Sequence, residues 1–408
     1  MAEKNKREIF IKNIGLDHDP FETPVAEQEL ARVQDVFYSY YSPSSPFPAQ
    51  EDLIKSLRRP QYAFVYGFPG DGKSTLRLTL DADCRTILDG TLAVTYILGE
   101  DIEHPLSLDE HGIHLAKALA IDLTLALIEQ FNPLNPFPTK KQIQALQYQV
   151  QVGGRQLKRL LRTLLEKLEK PEQYPPDPVW GISKDWNIIG KAPVKYLSGS
   201  DELRELLKKA SVTNEVETLE VETLSGWDIF WKGTNAARKW GFTRFLVMVD
   251  GVDTKKRTSE AMMALIKPLL DMLNKAESEN VFIKFFLPME LKENLQDYLQ
   301  SDNRGLYSNA IFPIIEWDEK ALRQLLAQRF RAASSRTGPR YTGLDSLAVP
   351  QLNLDEKVIR VAKGSPRRML GIISKLIDIH VTRDPNSFRF SQEDWEKCQR
   401  KLFEDSQR

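Results

Sequence analysis

Gly67-Phe68-Pro69-Gly70-Asp71-Gly72-Lys73-Ser74 fits the pattern G-x-x-x-x-G-K-[ST]. Glycines in this spacing let the backbone curl until successive N–H groups converge on an anion. A helix opening at Lys73 adds roughly half a positive charge at the same point. The Lys73 ammonium can bridge the outer phosphates of a nucleotide, the Ser74 hydroxyl can ligate magnesium, and Thr75 continues the helix. Context makes the pattern specific. Gln61 to Tyr66, an apolar and aromatic run bounded by Pro60 and Gly67, reads as a buried strand, and Lys73 to Asp81 reads as a helix.

A second constellation follows the apolar run Phe245 to Val249, where Asp250-Gly251-Val252-Asp253 places an acid at the end of a buried strand. Asp250 is the candidate to hold the magnesium shell together with Ser74. Gly251 stands where a glutamate usually follows in vigorous hydrolases. Asp253 is the nearest substitute, either orienting a water or capping the next helix. A third feature, Gly364-Ser365-Pro366-Arg367-Arg368-Met369-Leu370, opens a helix at Pro366 and sets arginines in its first turn, where the helix dipole favours an anion nearby. The five histidines show no HExxH pattern or cysteine partner, so no zinc site is expected.

Taken together, the phosphate loop and the strand-borne acid resemble AAA+ and STAND-class ATPases, and Asp250-Gly251-Val252-Asp253 resembles the second motif of NACHT-type members. Thr254 departs from them, since they commonly carry an acid there. Gly15-Leu16 with Pro20-Phe21 resembles the lead-in of bacterial secretion and transposition ATPases, and the Gly364 to Leu370 element is similar to sensor 2 of initiator-type AAA+ proteins. The resemblance implies ATP and Mg2+ as cofactors, with Arg367, and after it Arg368, folding onto the γ-phosphate. It implies slow phosphoanhydride hydrolysis and a nucleotide-dependent homo-oligomer in which one arginine reaches a neighbour's site. Arg304 is the first choice for that arginine, with Arg329 and Arg331 as competitors. Lys284-Phe285-Phe286-Leu287-Pro288 offers no Asn, Thr or Ser for sensor 1. Glu290 or Lys284 could serve, and Lys284 reads equally well as a sheet-edge residue.

These groups need a scaffold, and four short apolar runs separated by helical patterns supply it: Gln61–Tyr66, Leu92–Leu98, Phe245–Val249 and Val281–Leu287. Parallel strands need such crossovers, so the expected fold is α/β, a three-layer P-loop NTPase core with a mostly parallel sheet. A large helical insertion occupies about 100–240, with a leucine stripe from Ile143 to Leu168 and a turn or kink at Gly153-Gly154. The expected domains are a lead-in over 1–60, a core over 61–315 and an all-helical lid over 316–408. Pro171 to Gly199 reads as an ordered or partner-facing loop.

The remaining expectations come from composition. The chain has 408 residues, 41% hydrophobic and 28% charged, which excludes wholesale disorder and collagen-like repeats. Lys plus Arg number 56 against 57 Asp plus Glu, a net charge of -1, so a nucleic acid could be held only by a local patch. Arg155, Lys158, Arg159 and Arg162 fall on one helix face and could form that patch, although a solvated face is the commoner explanation of such a pattern. Cys84 and Cys398 are too few for a disulfide framework, and the longest apolar stretch, Leu115 to Ile128, falls short of a bilayer span. A cytoplasmic, membrane-free setting is therefore expected. Three functions remain open: an ATP-dependent switch with a protein partner or an effector in trans, a DNA-binding transposition or initiator adaptor, and a nucleotide-sensing module of a defence or signalling system.

Overall fold

The computed structural model of the chain describes residues 2–23, 25–33, 35–40, 53–99, 102, 105–170, 199–212, 224–254, 257–301, 310–335, 338–384 and 386–406. It divides into two compact units. The larger comprises 54–66 and 73–314, and the smaller comprises 1–53, 67–72 and 315–408.

The larger unit is built on five parallel strands: β1 (Tyr62–Gly67), β2 (Thr91–Ile97), β3 (Arg244–Asp250), β4 (Val281–Pro288) and β5 (Ala310–Ile311). Their order is β2-β3-β4-β1-β5. Every residue of β1 and β4 is buried, as expected for strands covered by helices on both faces. Register runs from Thr91 opposite Arg244 to Ile97 opposite Asp250, and from Phe245 opposite Val281 to Val249 opposite Phe285. Phe64 of β1 stacks on Phe285 of β4 with ring centroids 5.1 Å apart, locking the centre of the sheet. The four apolar runs are the four long strands, within a residue or two. The two-residue β5 is too short for any periodicity to reveal. Because β4 lies between β1 and β3, two inter-strand spacings of 4.7–4.9 Å separate them by about 10 Å.

Lys284 is not an edge residue. It sits on β4, between β3 and β1, with no solvent exposure, and its Nζ donates to the carbonyls of Arg59 (2.9 Å) and Gln61. Burial lowers its pKa to about 7, and two acceptors match the two N–H groups of a neutral amine. The folded pKa thus lies below the unfolded 10.5, so between these values the unfolded chain holds a proton that the folded chain lacks. Stability therefore rises with pH across that window and is lowest below it. Denaturant midpoints at pH 7 and pH 9.5 should show the wild type gaining on the order of 3 kcal/mol relative to Lys284→Met. Parallel pH curves for the two proteins contradict this assignment.

In the insertion, helices Leu108–Glu129, Lys140–Glu169, Asp201–Ser211 and Gly226–Arg238 pack together. Ser107 with Glu110, and Thr139 with Gln142, form capping boxes that start the first two. A Cβ on Gly226 would lie 2.1 Å from the Asp109 carbonyl, so only glycine permits this helix to approach so closely. The run Leu115 to Ile128 belongs to a 22-residue helix that, contrary to the expectation from sequence, is long and apolar enough to cross a membrane. Its most apolar window is 78% buried within the protein. The kink expected at Gly153-Gly154 is present, with Gly154 at φ 62° and ψ -144° inside the helix.

In the smaller unit, residues 1–53 share one compact body with 315–408, a grouping that no local pattern discloses. Phe10 meets the ring of His380 edge to face at 5.0 Å, and Arg7 reaches Asp19, Ser374 and Asp378. Arg329 is not available as an arginine finger. It has no exposure, pairs with Glu29 at 2.5 Å, donates to the Pro20 carbonyl and lies 4.4 Å from the Tyr40 ring centroid. An arginine held by so many partners stabilises the N-terminal segment against the C-terminal helices.

Candidate functional site

Within the smaller unit, the loop segment Gly67–Gly72 follows β1 and precedes helix Lys73–Thr86. Gly70 has φ +95° and Gly72 φ +94°, while Asp71 between them has negative φ. Left-handed residues of this kind occur in backbone nests, concavities whose free N–H groups can bind anions. The Asp71 carboxylate accepts the Phe68 N–H at 2.7 Å and the Asp71 N–H donates to the Phe68 carbonyl at 3.1 Å, closing the loop on itself. Phe68 itself stands 56% exposed.

Helix Pro366–Arg383 opens as the sequence suggests, with Pro366 at its start and the Ser365 side chain accepting from the Arg368 N–H. Its first turn lies against the loop. The Arg367 N–H donates to the Gly70 carbonyl at 3.4 Å, and a Cβ on Gly70 would fall 2.7 Å from the Arg367 Cβ. Gly70 is thus required twice, by its positive φ and by this approach. Arg367 and Arg368 are both exposed. The Trp317 indole N–H donates to the Asp71 carbonyl at 2.9 Å.

Within the larger unit, Lys73 is buried at the first position of its helix, Ser74 beside it is half-buried, and Thr75 faces inward. The Lys73 Nζ lies 3.4 Å from Asp253 Oδ2. Asp253 does not cap the following long helix, Ser259–Asp271, whose cap is Thr258, and it faces the lysine instead. Asp250 ends β3, is 4% exposed, and accepts the Gly251 N–H on Oδ1 at 2.8 Å. Its Oδ2 accepts from Arg77 Nε at 2.9 Å, and Arg77 has no solvent exposure. Lys73 and Arg77, four apart, share one helix face, so the phosphate-loop helix brings a second cation to the acid. An arginine between Leu76 and Leu78, four residues after Lys73, was the available signal for it.

Gly251 has φ +79°, with a notional Cβ 3.2 Å from Ile97 Cγ2. A glutamate there would be strained. Arg257, also silent in the sequence, donates to the carbonyls of Leu98, Gly99 and Ile102 and to those of Gly251 and Val252. It ties together the loops that leave β2 and β3.

Among the other expected residues, Arg304 lies outside the described residues, as does 171–198. Arg331 and Glu290 are exposed. Arg155, Lys158, Arg159 and Arg162 are all exposed after the Gly154 kink, while Leu157, Leu161 and Leu164 are buried. Lys158 and Arg162 share a shallow cleft with Glu166 and Glu169, so this face carries both signs.

No protein-family model matches the chain, and comparison with curated proteins and with solved structures returns no match.

Proposed function

We propose that the chain is a P-loop ATPase of the AAA+/STAND kind that binds ATP with magnesium and turns it over slowly, as a nucleotide-dependent switch. The observation carrying this is the loop Gly67–Ser74: a strand, a nest with left-handed glycines at 70 and 72, and a helix opening on a buried lysine. Ser74 and Asp250 would hold the magnesium. Magnesium takes few protein ligands and completes its shell with phosphate and water. When bound, the ion would neutralise charge on the phosphates. The chain's own residues supply the rest. Loop amides and Lys73 bind and orient the phosphates, and Asp253, already beside Lys73, is the acid that can accept a water proton.

Slow turnover follows from two features. Gly251 leaves the usual glutamate position without a side chain, and Asp253 is drawn toward the lysine rather than held for a water. A rate about a hundredfold below the 10 s⁻¹ typical of enzymes is expected. Calorimetric titration with ATP and magnesium, a phosphate-release assay, and solution size with ATP, with ADP and without nucleotide test the proposal together. Absence of nucleotide binding refutes it, and a single size in all three conditions removes the assembling switch.

A second reading, an adaptor that grips DNA, draws on the exposure of Arg155, Lys158, Arg159 and Arg162. Four phosphate contacts would give a log-log salt slope of about -3.6 in the same size measurements repeated with duplex DNA, and a flat salt response discards it.

A further inference from the structure

The Trp317 indole is 7% exposed, and its N–H has its bond to the Asp71 carbonyl, 246 residues away in sequence and inside the phosphate loop. A trans peptide is planar, with its C=O and N–H pointing in opposite directions. Holding the Asp71 carbonyl toward Trp317 therefore aims the Gly72 N–H away from Trp317. The preceding plane is restrained at both ends: the Gly70 carbonyl accepts from the Arg367 N–H, and the Asp71 N–H of the same peptide is committed to the Phe68 carbonyl. Glycine at 72 has no side chain to resist rotation of the 71–72 peptide, so an outside donor is what limits that freedom.

We propose that Trp317 is a positioning residue for the phosphate loop. By gripping the Asp71 carbonyl it keeps the Gly72 amide turned toward the β-phosphate of a nucleoside di- or triphosphate, and it links that amide directly to the segment entering the lid helices. This rests on the phosphate-loop reading above. A preorganised amide binds its anion without first paying for reorientation, whereas a free peptide can present its carbonyl and repel the same phosphate.

Trp317→Phe keeps an aromatic ring and removes the N–H donor. In the full chain with magnesium present, titration with ADP and with ATP should show affinities roughly five- to tenfold weaker than wild type, the worth of one hydrogen bond. A purely structural role would lower the thermal midpoint and leave both dissociation constants unchanged well below that midpoint. Unchanged constants in a folded variant overturn the proposal. Should the variant not fold, a wild-type crystal grown with ADP decides. Trp317 Nε1 within hydrogen-bond reach of the Asp71 carbonyl, with the Gly72 nitrogen on the β-phosphate, supports the proposal; a turned peptide overturns it. Failure of wild-type protein to bind either nucleotide is a different result and refutes the phosphate-loop reading itself.

Discussion

Lys73→Ala should weaken ATP binding at least about a hundredfold, equivalent to about 2.8 kcal/mol, while leaving the protein folded. Lys73 supplies the only formal charge in the motif positioned to meet the outer phosphates, and charge-assisted hydrogen bonds from a buried ammonium exceed neutral ones. Its contact with Asp253 is 3.4 Å long and Asp253 is 28% exposed, so losing that pair should cost less than about 1 kcal/mol. Lys73→Met preserves the buried aliphatic stem and separates packing from charge. Calorimetry on both variants beside the wild type checks the expectation. Retained micromolar affinity in the alanine variant would falsify the phosphate site.

Arg77→Met should be the most destabilising single change at the site. Arg77 and Asp250 are buried against each other, and removing one partner strands the other charge, at a typical cost of 3–5 kcal/mol. Asp250→Asn removes the carboxylate charge that faces the guanidinium and should also destabilise the protein. It is therefore no simple probe of metal-dependent turnover, although it looks like one when Asp250 is considered without its partner. The double change Arg77→Met with Asp250→Asn removes both charges and should recover most of the lost stability, leaving a coupling energy well above the few tenths expected of independent sites. Thermal melts of the four proteins give this cycle directly. Additive losses would show that the pair does not act as a unit.

The pair also bears on the metal site proposed above. Arg77 takes Oδ2 and the Gly251 amide takes Oδ1, so Asp250 is oriented by protein donors on both oxygens. The same helix that opens with Lys73 and Ser74 thus also fixes the acid that would face the magnesium.

Much of this was open to inspection in the amino-acid order alone. The strand, the turn with positive φ at Gly70 and Gly72, and the helix opening at Lys73 were legible because their signals are all local in sequence. The long strands declared themselves because burial on both faces demands unbroken apolar runs. Gly364 to Arg368 announced a helix start through Pro366 and Ser365. Only tertiary structure could decide what depends on contacts between distant segments: Arg77 on Asp250 across 173 residues, Trp317 on Asp71 across 246, and Arg329 on Glu29 across 300. A charged or indole side chain looks the same in sequence whether it faces water or a buried partner. Sequence therefore leaves Lys284 open between sensor and edge residue and Arg329 among the competitors for the finger, and only the strand order and the packing of the lead-in show what surrounds them.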